Sequence, residues 1–164
     1  MESVEVIRPL FDGETVQPRL PILVGGNGQT FLAPAGAHAD IVGLQGLRRT
    51  KADGHSHTVK WGSDWLDTQI EQIRSGAGDR IGEVEVSALV QVTRFTSDSG
   101  AFIEEAVSRI EGLSADDARI THYLLFGTPE EMATKIRVCR ERWGISYFVV
   151  GECAAFADVI SELR

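Results

Sequence analysis

Leu20-Pro21-Ile22-Leu23-Val24-Gly25-Gly26-Asn27-Gly28 is an aliphatic run that stops in glycines. A continuous apolar run, unlike an alternating one, reads as a strand covered on both faces, which is the habit of parallel sheets. The glycines permit positive φ and close approach of the backbone. Residues 29–38 then read as a helix. Its first amides lack intrahelical partners and point out of the turn, a geometry that suits a phosphate.

Working outward, the same punctuation recurs. Residues 39–44 form a second apolar run ending at Gly43-Leu44-Gln45-Gly46. Ser63 reads as the N-cap of a helix carrying Trp65, Leu66, Ile70 and Ile73 on one face, and Gly76-Ala77-Gly78 reads as its stop. Residues 84–92 alternate with a period of two, giving a third strand. Helices are expected at 99–110 and 116–123. Thr128-Pro129-Glu130-Glu131 has the pattern of a capping box with Pro at the first helical position, opening a helix that runs to Trp143 and stops at Gly144. A fourth strand at 145–150 and a closing helix at 154–163 complete the series. Ahead of the first strand, residues 4–10 read as a helix, followed by a turn at Asp12-Gly13 and a linker holding Pro18. Residues 47–62 read as a polar, basic loop.

The expectation is therefore an α/β fold of four parallel βα units in one domain over residues 1–164, with 1–19 as leading helix and linker and 20–164 as the four units. That is half of a TIM (β/α)8 barrel, which has eight strands in roughly 250 residues. Such a half leaves two strand edges unpaired and one apolar face uncovered, so completion by dimerisation is expected. A homodimer and a heteromer with a separate N-terminal half-barrel are the two forms considered.

Composition narrows the function classes. Across 164 residues, 43% are hydrophobic and 24% charged, and the formal net charge is -8, without a Lys/Arg stripe of the kind that binds nucleic acid. No apolar segment is long enough to span a membrane. The two isolated cysteines, Cys139 and Cys153, and an acidic N-terminus point to a soluble, cytoplasmic chain.

Several stretches carry a resemblance. Pro21-Ile22-Leu23-Val24-Gly25-Gly26-Asn27-Gly28 followed by Ala37-His38-Ala39-Asp40-Ile41-Val42-Gly43-Leu44 resembles the fifth and sixth strand units of the luciferase-like monooxygenases, in the branch that uses the deazaflavin coenzyme F-420. Gly76-Ala77-Gly78-Asp79-Arg80, Phe126-Gly127-Thr128-Pro129-Glu130-Glu131-Met132 and Arg140-Glu141-Arg142-Trp143-Gly144-Ile145-Ser146-Tyr147 are similar to the same branch, as is Val6-Ile7-Arg8-Pro9-Leu10-Phe11-Asp12-Gly13-Glu14. The resemblance implies the C-terminal half of a barrel, a flavin-type cofactor (F-420 or FMN), and hydride chemistry on a small organic substrate. It places the phosphate of that cofactor at Gly25 and Gly26. The first half of the barrel, which carries most substrate-side groups in such proteins, has no counterpart here.

Barrel chemistry sits at the C-terminal ends of strands. Candidate cofactor-binding residues are Gly25, Gly26, Asn27, Gln45 and Arg48, and candidate acid–base groups are Arg94, Glu152 and His57. Alternatives stay open at each. The glycines also suit tight strand–helix packing, and Arg48, Arg49 and Lys51 also suit a solvated loop. Asp53 with His55-Ser56-His57 has metal-ligand residue types but reads as polar loop or lid, so no metal is expected. The alternative function is a non-redox barrel remnant, either an enzyme without cofactor or a binding protein, using the cavity of a homodimer.

Overall fold

The computed structural model describes residues 2–11, 19–55, 57–151 and 153–164. The expected turn at Asp12-Gly13, Pro18, Ser56 and the candidate acid Glu152 lie outside the described residues. The chain opens with α1 (Glu2–Phe11), and the decisive run forms β1 (Leu23–Gly25) followed by α2 (Gln29–His38). Next come β2 (Ile41–Leu44), β3 (Leu47–Thr50) and β4 (His57–Val59), then α3 (Ser63–Ala77) and a 3-10 turn over Gly78–Glu83. β5 (Glu85–Leu89), β6 (Val92–Phe95), α4 (Ser99–Arg109), α5 (Ala115–Ile120), β7 (Leu124–Gly127), α6 (Pro129–Trp143), β8 (Ile145–Val149) and α7 (Ala157–Leu163) complete it. Among these residues no helix is long and apolar enough to cross a membrane.

Four strands pair in parallel in the order β1-β2-β5-β8, so the four expected βα units are present and neighbours in space. Alternation along the strands divides the sheet into two faces, with a register shift between Ile145 and Tyr147 in β8 that puts these two on opposite sides. Val24, Val42, Leu44, Val86, Ala88 and Ile145 pack under α2, α3 and α6 in one core. The opposite, inner face carries Leu23, Gly25, Gly43, Ser87, Tyr147 and Val149. On it Gly43 and Ser87 are buried, while Leu23, Tyr147 and Val149 stand 50, 42 and 39% exposed with no second sheet or helix layer over them among the described residues. Within this sheet β1 pairs only with β2, and β8 only with β5.

Three expectations are corrected. The alternating stretch 84–92 is not one strand: β5 ends at Leu89, Val90 donates to the Val149 carbonyl, and Gln91 and Val92 turn to the Tyr123 carbonyl. The chain thereby changes partner, and β6 pairs in parallel with β7, a strand hidden between an expected helix and an expected cap. Residues 47–62 hold an antiparallel hairpin, β3–β4, where an irregular loop was expected. Boundaries also move: Gly62, not Ser63, caps α3, α5 stops at Ile120, and α7 starts at Ala157.

Other local signals act as read. Thr128 Oγ1 accepts the Glu131 amide at 3.3 Å while Glu131 Oε2 accepts the Thr128 amide at 2.8 Å, and Gly144 ends α6 at φ 71°. Such a cap contributes about 1 kcal/mol. At the foot of the sheet, Asp40 gathers three donors: Arg8 Nη2 at 3.0 Å, Arg19 Nη2 at 2.6 Å and the Ile22 amide at 2.8 Å. Burial alone would raise the Asp40 pKa, but the amide and the two guanidiniums outweigh it and hold the carboxyl below its ordinary value. α1 and the entry to β1 are thus anchored to the start of β2.

Gly76 does more than stop a helix. A Cβ built there would lie 1.8 Å from the Ala33 carbonyl oxygen, and one on Gly36 would lie 2.3 Å from the Ile73 oxygen. α2 and α3 therefore touch backbone to backbone, while Gly78, at φ 55°, provides the stop. A methyl at Gly76 has no flexible neighbour to displace, so Gly76→Ala is expected to cost about 3 kcal/mol, the upper end for overpacking. Gly82→Ala, whose Cβ meets nothing within 4 Å, is expected to stay within about 0.5 kcal/mol of wild type. Urea unfolding of the two variants side by side measures the contrast.

Candidate functional site

The C-terminal ends of β1 and β2 bring four of the five proposed cofactor residues together. Gly25 lies opposite Gly43 in register, and Gln45 Nε2 hangs 3.0 Å from where a Gly25 Cβ would be. Gly25 is exposed. Asn27 clasps the two strand ends: its Nδ2 donates to the Leu47 carbonyl at 2.6 Å, and its Oδ1 accepts the amides of Gln45 and Gly46 at 3.3 and 3.2 Å. Gln91 adds a fourth strand connection by donating from Nε2 to the Gln45 carbonyl at 2.9 Å. Neither the clasp nor Gln91 was marked by a motif.

The two glycines of the turn differ. The Gly26 amide donates to the Gly43 carbonyl at 3.2 Å, and a Cβ on Gly26 would lie 2.5 Å from the Phe31 ring. Packing of strand end against helix start thus accounts for Gly26. Gly25 has no comparable obstacle, since only the movable tip of Gln45 is near. Directly beyond, α2 begins at Gly28 without a side-chain cap and without an acidic residue in its first turn. Its leading amides are available to an anion in the way general to helix starts.

Arg48 is placed elsewhere. It lies on β3 with its guanidinium 5.0 Å from the centroid of the Trp65 ring, which Lys60 Nζ also approaches at 4.3 Å. Such cation–π contacts are worth roughly 0.5–1 kcal/mol at exposed sites. They hold the hairpin against α3. His57, on β4, is exposed with Nδ1 3.3 Å from the Thr50 hydroxyl, and the His55 amide donates to Asp53 Oδ1 at 2.9 Å. Arg94 is exposed on β6, in register with Phe126. His57 and Arg94 therefore sit on separate two-stranded sheets.

A buried polar cluster behind the mouth was not anticipated as such. His122 is fully buried, and neither ring nitrogen has a hydrogen-bond partner among the described residues. Its ring centroid lies 3.8 Å from that of Tyr123. Burial, and to a lesser degree the nearby Lys135 ammonium, drive its pKa down to about 3. Tyr123 packs edge-on to Trp61 and fills the space beside Gly46, where a Cβ would lie 2.4 Å from its ring. Its buried hydroxyl has no hydrogen-bond partner among the described residues either, and burial raises its pKa. Lys135 donates to the Ala118 carbonyl at 2.8 Å beside the Phe126 ring, and burial lowers its pKa to about 8. Cys139, in the helix core, is buried with its thiol pushed up to about 11, an unreactive setting, whereas Cys153 is exposed.

No family model matches the chain, and no curated protein sequence does. Among solved structures, the coenzyme F420 dependent tetrahydromethanopterin reductase from Methanopyrus kandleri superposes with a TM-score of 0.52 at 17% identity, over 88% of this chain and 48% of that one. The long-chain alkane monooxygenase LadA gives a TM-score of 0.53 at 18% identity, over 90% of this chain and 40% of that one. The likeness shows that this chain's parallel α/β sheet with its helices follows part of the fold of both. The chain spans less than half the length of either.

His122 gives the site a pH signature. Its folded pKa, about 3, is below the ordinary 6.5, so the unfolded chain binds more protons between those values. Stability is then complete above pH 6.5 and falls as pH drops, by up to about 1.4 kcal/mol per pH unit from this group. His122→Phe is expected to flatten that slope between pH 6.5 and 5, read from chemical unfolding at several pH values.

Proposed function

We propose that this chain is a luciferase-like oxidoreductase homologue that binds a flavin-type cofactor, F-420 or FMN, at the C-terminal end of its parallel sheet and acts on a small organic molecule over the inner face. The observation that carries this reading is the bare Gly25–Gly43 pair on that face, directly beside the uncapped start of α2. The residues fit a phosphate-bearing planar group there: Gly25 leaves space that a Cβ would occupy, and the approaching neighbour is a flexible donor, Gln45 Nε2.

In this reading the leading amides of α2 and the Gln45 side chain hold the phosphate end, and Asn27 keeps the ends of β1 and β2 at a fixed separation. Gly25, Gly43 and Ser87 lie in register on three adjacent strands, of which Gly25 is exposed and would meet the ring while Gly43 and Ser87 are buried, and Tyr147 stands on the fourth. A flavin-type cofactor supplies the hydride chemistry when bound, and the protein supplies placement. The fold shared with an F420-dependent reductase and an alkane monooxygenase supports the redox class without fixing the substrate.

A second reading is favoured by Gly26, whose amide and space are both taken by the protein itself. On that reading the glycines serve packing alone, and the inner face belongs to a barrel remnant without redox chemistry.

Calorimetric titration with F-420 and with FMN separates the two. Saturable micromolar binding of one of them is expected. Gly25→Val is expected to weaken it at least about 10-fold, equivalent to about 1.4 kcal/mol, with an unchanged melting curve. Gly26→Ala is unsuitable as the probe, because the collision with Phe31 unsettles the turn whether or not a ligand binds. Absence of binding by folded wild-type protein overturns the redox reading.

A further inference from the structure

The chain has three lysines, and two of them are engaged at the surface: Lys51 pairs with Glu111 at 2.7 Å, and Lys60 stacks on Trp65. Lys135 is placed differently. It lies midway along α6, half-buried, with Nζ donating to the Ala118 carbonyl of α5 at 2.8 Å and standing 4.8 Å from the centroid of the Phe126 ring on β7. Among the described residues no carboxylate comes within ion-pair distance of it. Glu131, one turn earlier, has the spacing that ordinarily forms such a pair. Its Oε2 is instead taken by the Thr128 amide at 2.8 Å and the Ser99 hydroxyl at 3.1 Å. The cap of α6 thereby deprives Lys135 of its natural counter-ion. His122 and Cys139, the ionisable groups that act on it or feel its charge, are neutral at pH 7 because burial opposes their charged forms.

Lys135 also lines a cavity. A space of about 420 Å³ opens between α4, α5, β7 and α6, walled by Ile103, Ile120, Phe126 and Val138, with the more exposed Arg119 in the same lining. That size suits a small molecule. Burial brings the Lys135 pKa down to about 8. At pH 7 about one amine in ten is then uncharged, against fewer than about one in a thousand for an ordinary lysine. The uncharged amine is the nucleophile.

We propose that this cavity is a site at which Lys135 forms a Schiff base with a small aldehyde that has an apolar body and an anionic group. The Nζ lone pair attacks the carbonyl carbon, the two amine protons pass to the carbonyl oxygen, and that oxygen leaves as water. A C=N bond replaces C=O, so one amine and one aldehyde give one imine and one water with no change of oxidation state. Nζ is hemmed in by the Ala118 carbonyl and the Phe126 ring, which favours an aldehyde over the bulkier ketone. The apolar walls take the body of the molecule. Among the described residues the charge partner of Arg119 is Asp116, at 3.3 Å on an exposed helix turn. Such an exposed pair is weak, so the guanidinium can turn to a carboxylate on the ligand. None of these residues belongs to the glycine turn, and the proposal does not depend on whether a cofactor binds there.

The experiment is reductive trapping of the full chain with 4-carboxybenzaldehyde and cyanoborohydride at pH 7, followed by peptide mapping in a mass spectrometer. The three lysines compete in one reaction. Lys135 is expected to be labelled at least about 10-fold faster than Lys51 or Lys60, at a rate that saturates with aldehyde, and the preference is expected to vanish in denaturing urea. Benzaldehyde, which lacks the carboxylate, is expected to be trapped about 5-fold more slowly below saturation. Arg119→Gln is expected to remove that advantage and leave the benzaldehyde rate unchanged. Lys135→Arg, which keeps a cation beside Phe126, should abolish the fast labelling with an unchanged circular dichroism spectrum. Labelling of Lys135 in the folded wild-type chain no faster than that of Lys60 overturns the proposal. So does a rate that rises linearly with aldehyde, because it reports an amine without a binding site. Equal trapping of the two aldehydes overturns the anionic class of ligand.

Discussion

A parallel sheet cannot leave one face in water without cost, and that constraint governs this molecule. Helices α2, α3 and α6 cover the outer face and build a core from Val42, Leu44, Val86, Ala88 and Ile145. Nothing comparable covers the inner face among the described residues. Burying an aliphatic or aromatic side chain is worth roughly 1.5–3 kcal/mol, so Leu23, Tyr147 and Val149 together represent a substantial unspent driving force. At the edges β1 and β8 have no second strand partner among the described residues, which leaves backbone groups that a helix or a pocket cannot satisfy. A strand can.

The mouth of the sheet shows how one motif divides its duties. Gly26 serves packing, because its amide is bonded within the sheet and the Phe31 ring occupies the place of a side chain. Gly25, one residue earlier, faces the open side. Asn27 then fixes the turn by bonding three backbone groups across β2 and β3. A glycine-rich turn can therefore be required for folding at one residue and open to a ligand at the next. Behind it, the ring nitrogens of the buried His122 find no hydrogen-bond partner among the described residues, and the cost of charging that ring makes this end of the molecule sensitive to acid.

Much of the fold was legible because the local signals agreed with the tertiary result. The apolar runs read at 20–28, 39–44 and 145–150 hold three of the four strands of one sheet, and the capping box at Thr128 and Glu131 formed as its spacing implied. What escaped notice was short or polar, or was masked by a stronger neighbouring signal. β7 is four residues, Leu124–Gly127, with no turn of its own before the helix cap. The partner change at Val90-Gln91 was invisible because the alternation of residues runs through it. β3 and β4 are polar, so their pairing is decided across the hairpin and not by burial. In the site, the sequence located the glycine turn, Asn27 and Gln45. It could not separate Gly25 from Gly26, which needs the position of Phe31. Nor could it show that Arg48 goes to Trp65, a contact made across two elements.

The seam between α2 and α3 bears on motion. Helices that slide over one another do so by letting flexible side chains between them change rotamer. At Gly36 and Gly76 there are no side chains to change, only carbonyl oxygens lodged against α-carbons. The two helices are locked against shear and move as one slab with the strands they cover. The β3–β4 hairpin is fastened to that slab in turn, by Arg48 and Lys60 stacked on Trp65 and by Asn27 bonded to the Leu47 carbonyl, and Lys51 of its loop pairs with Glu111.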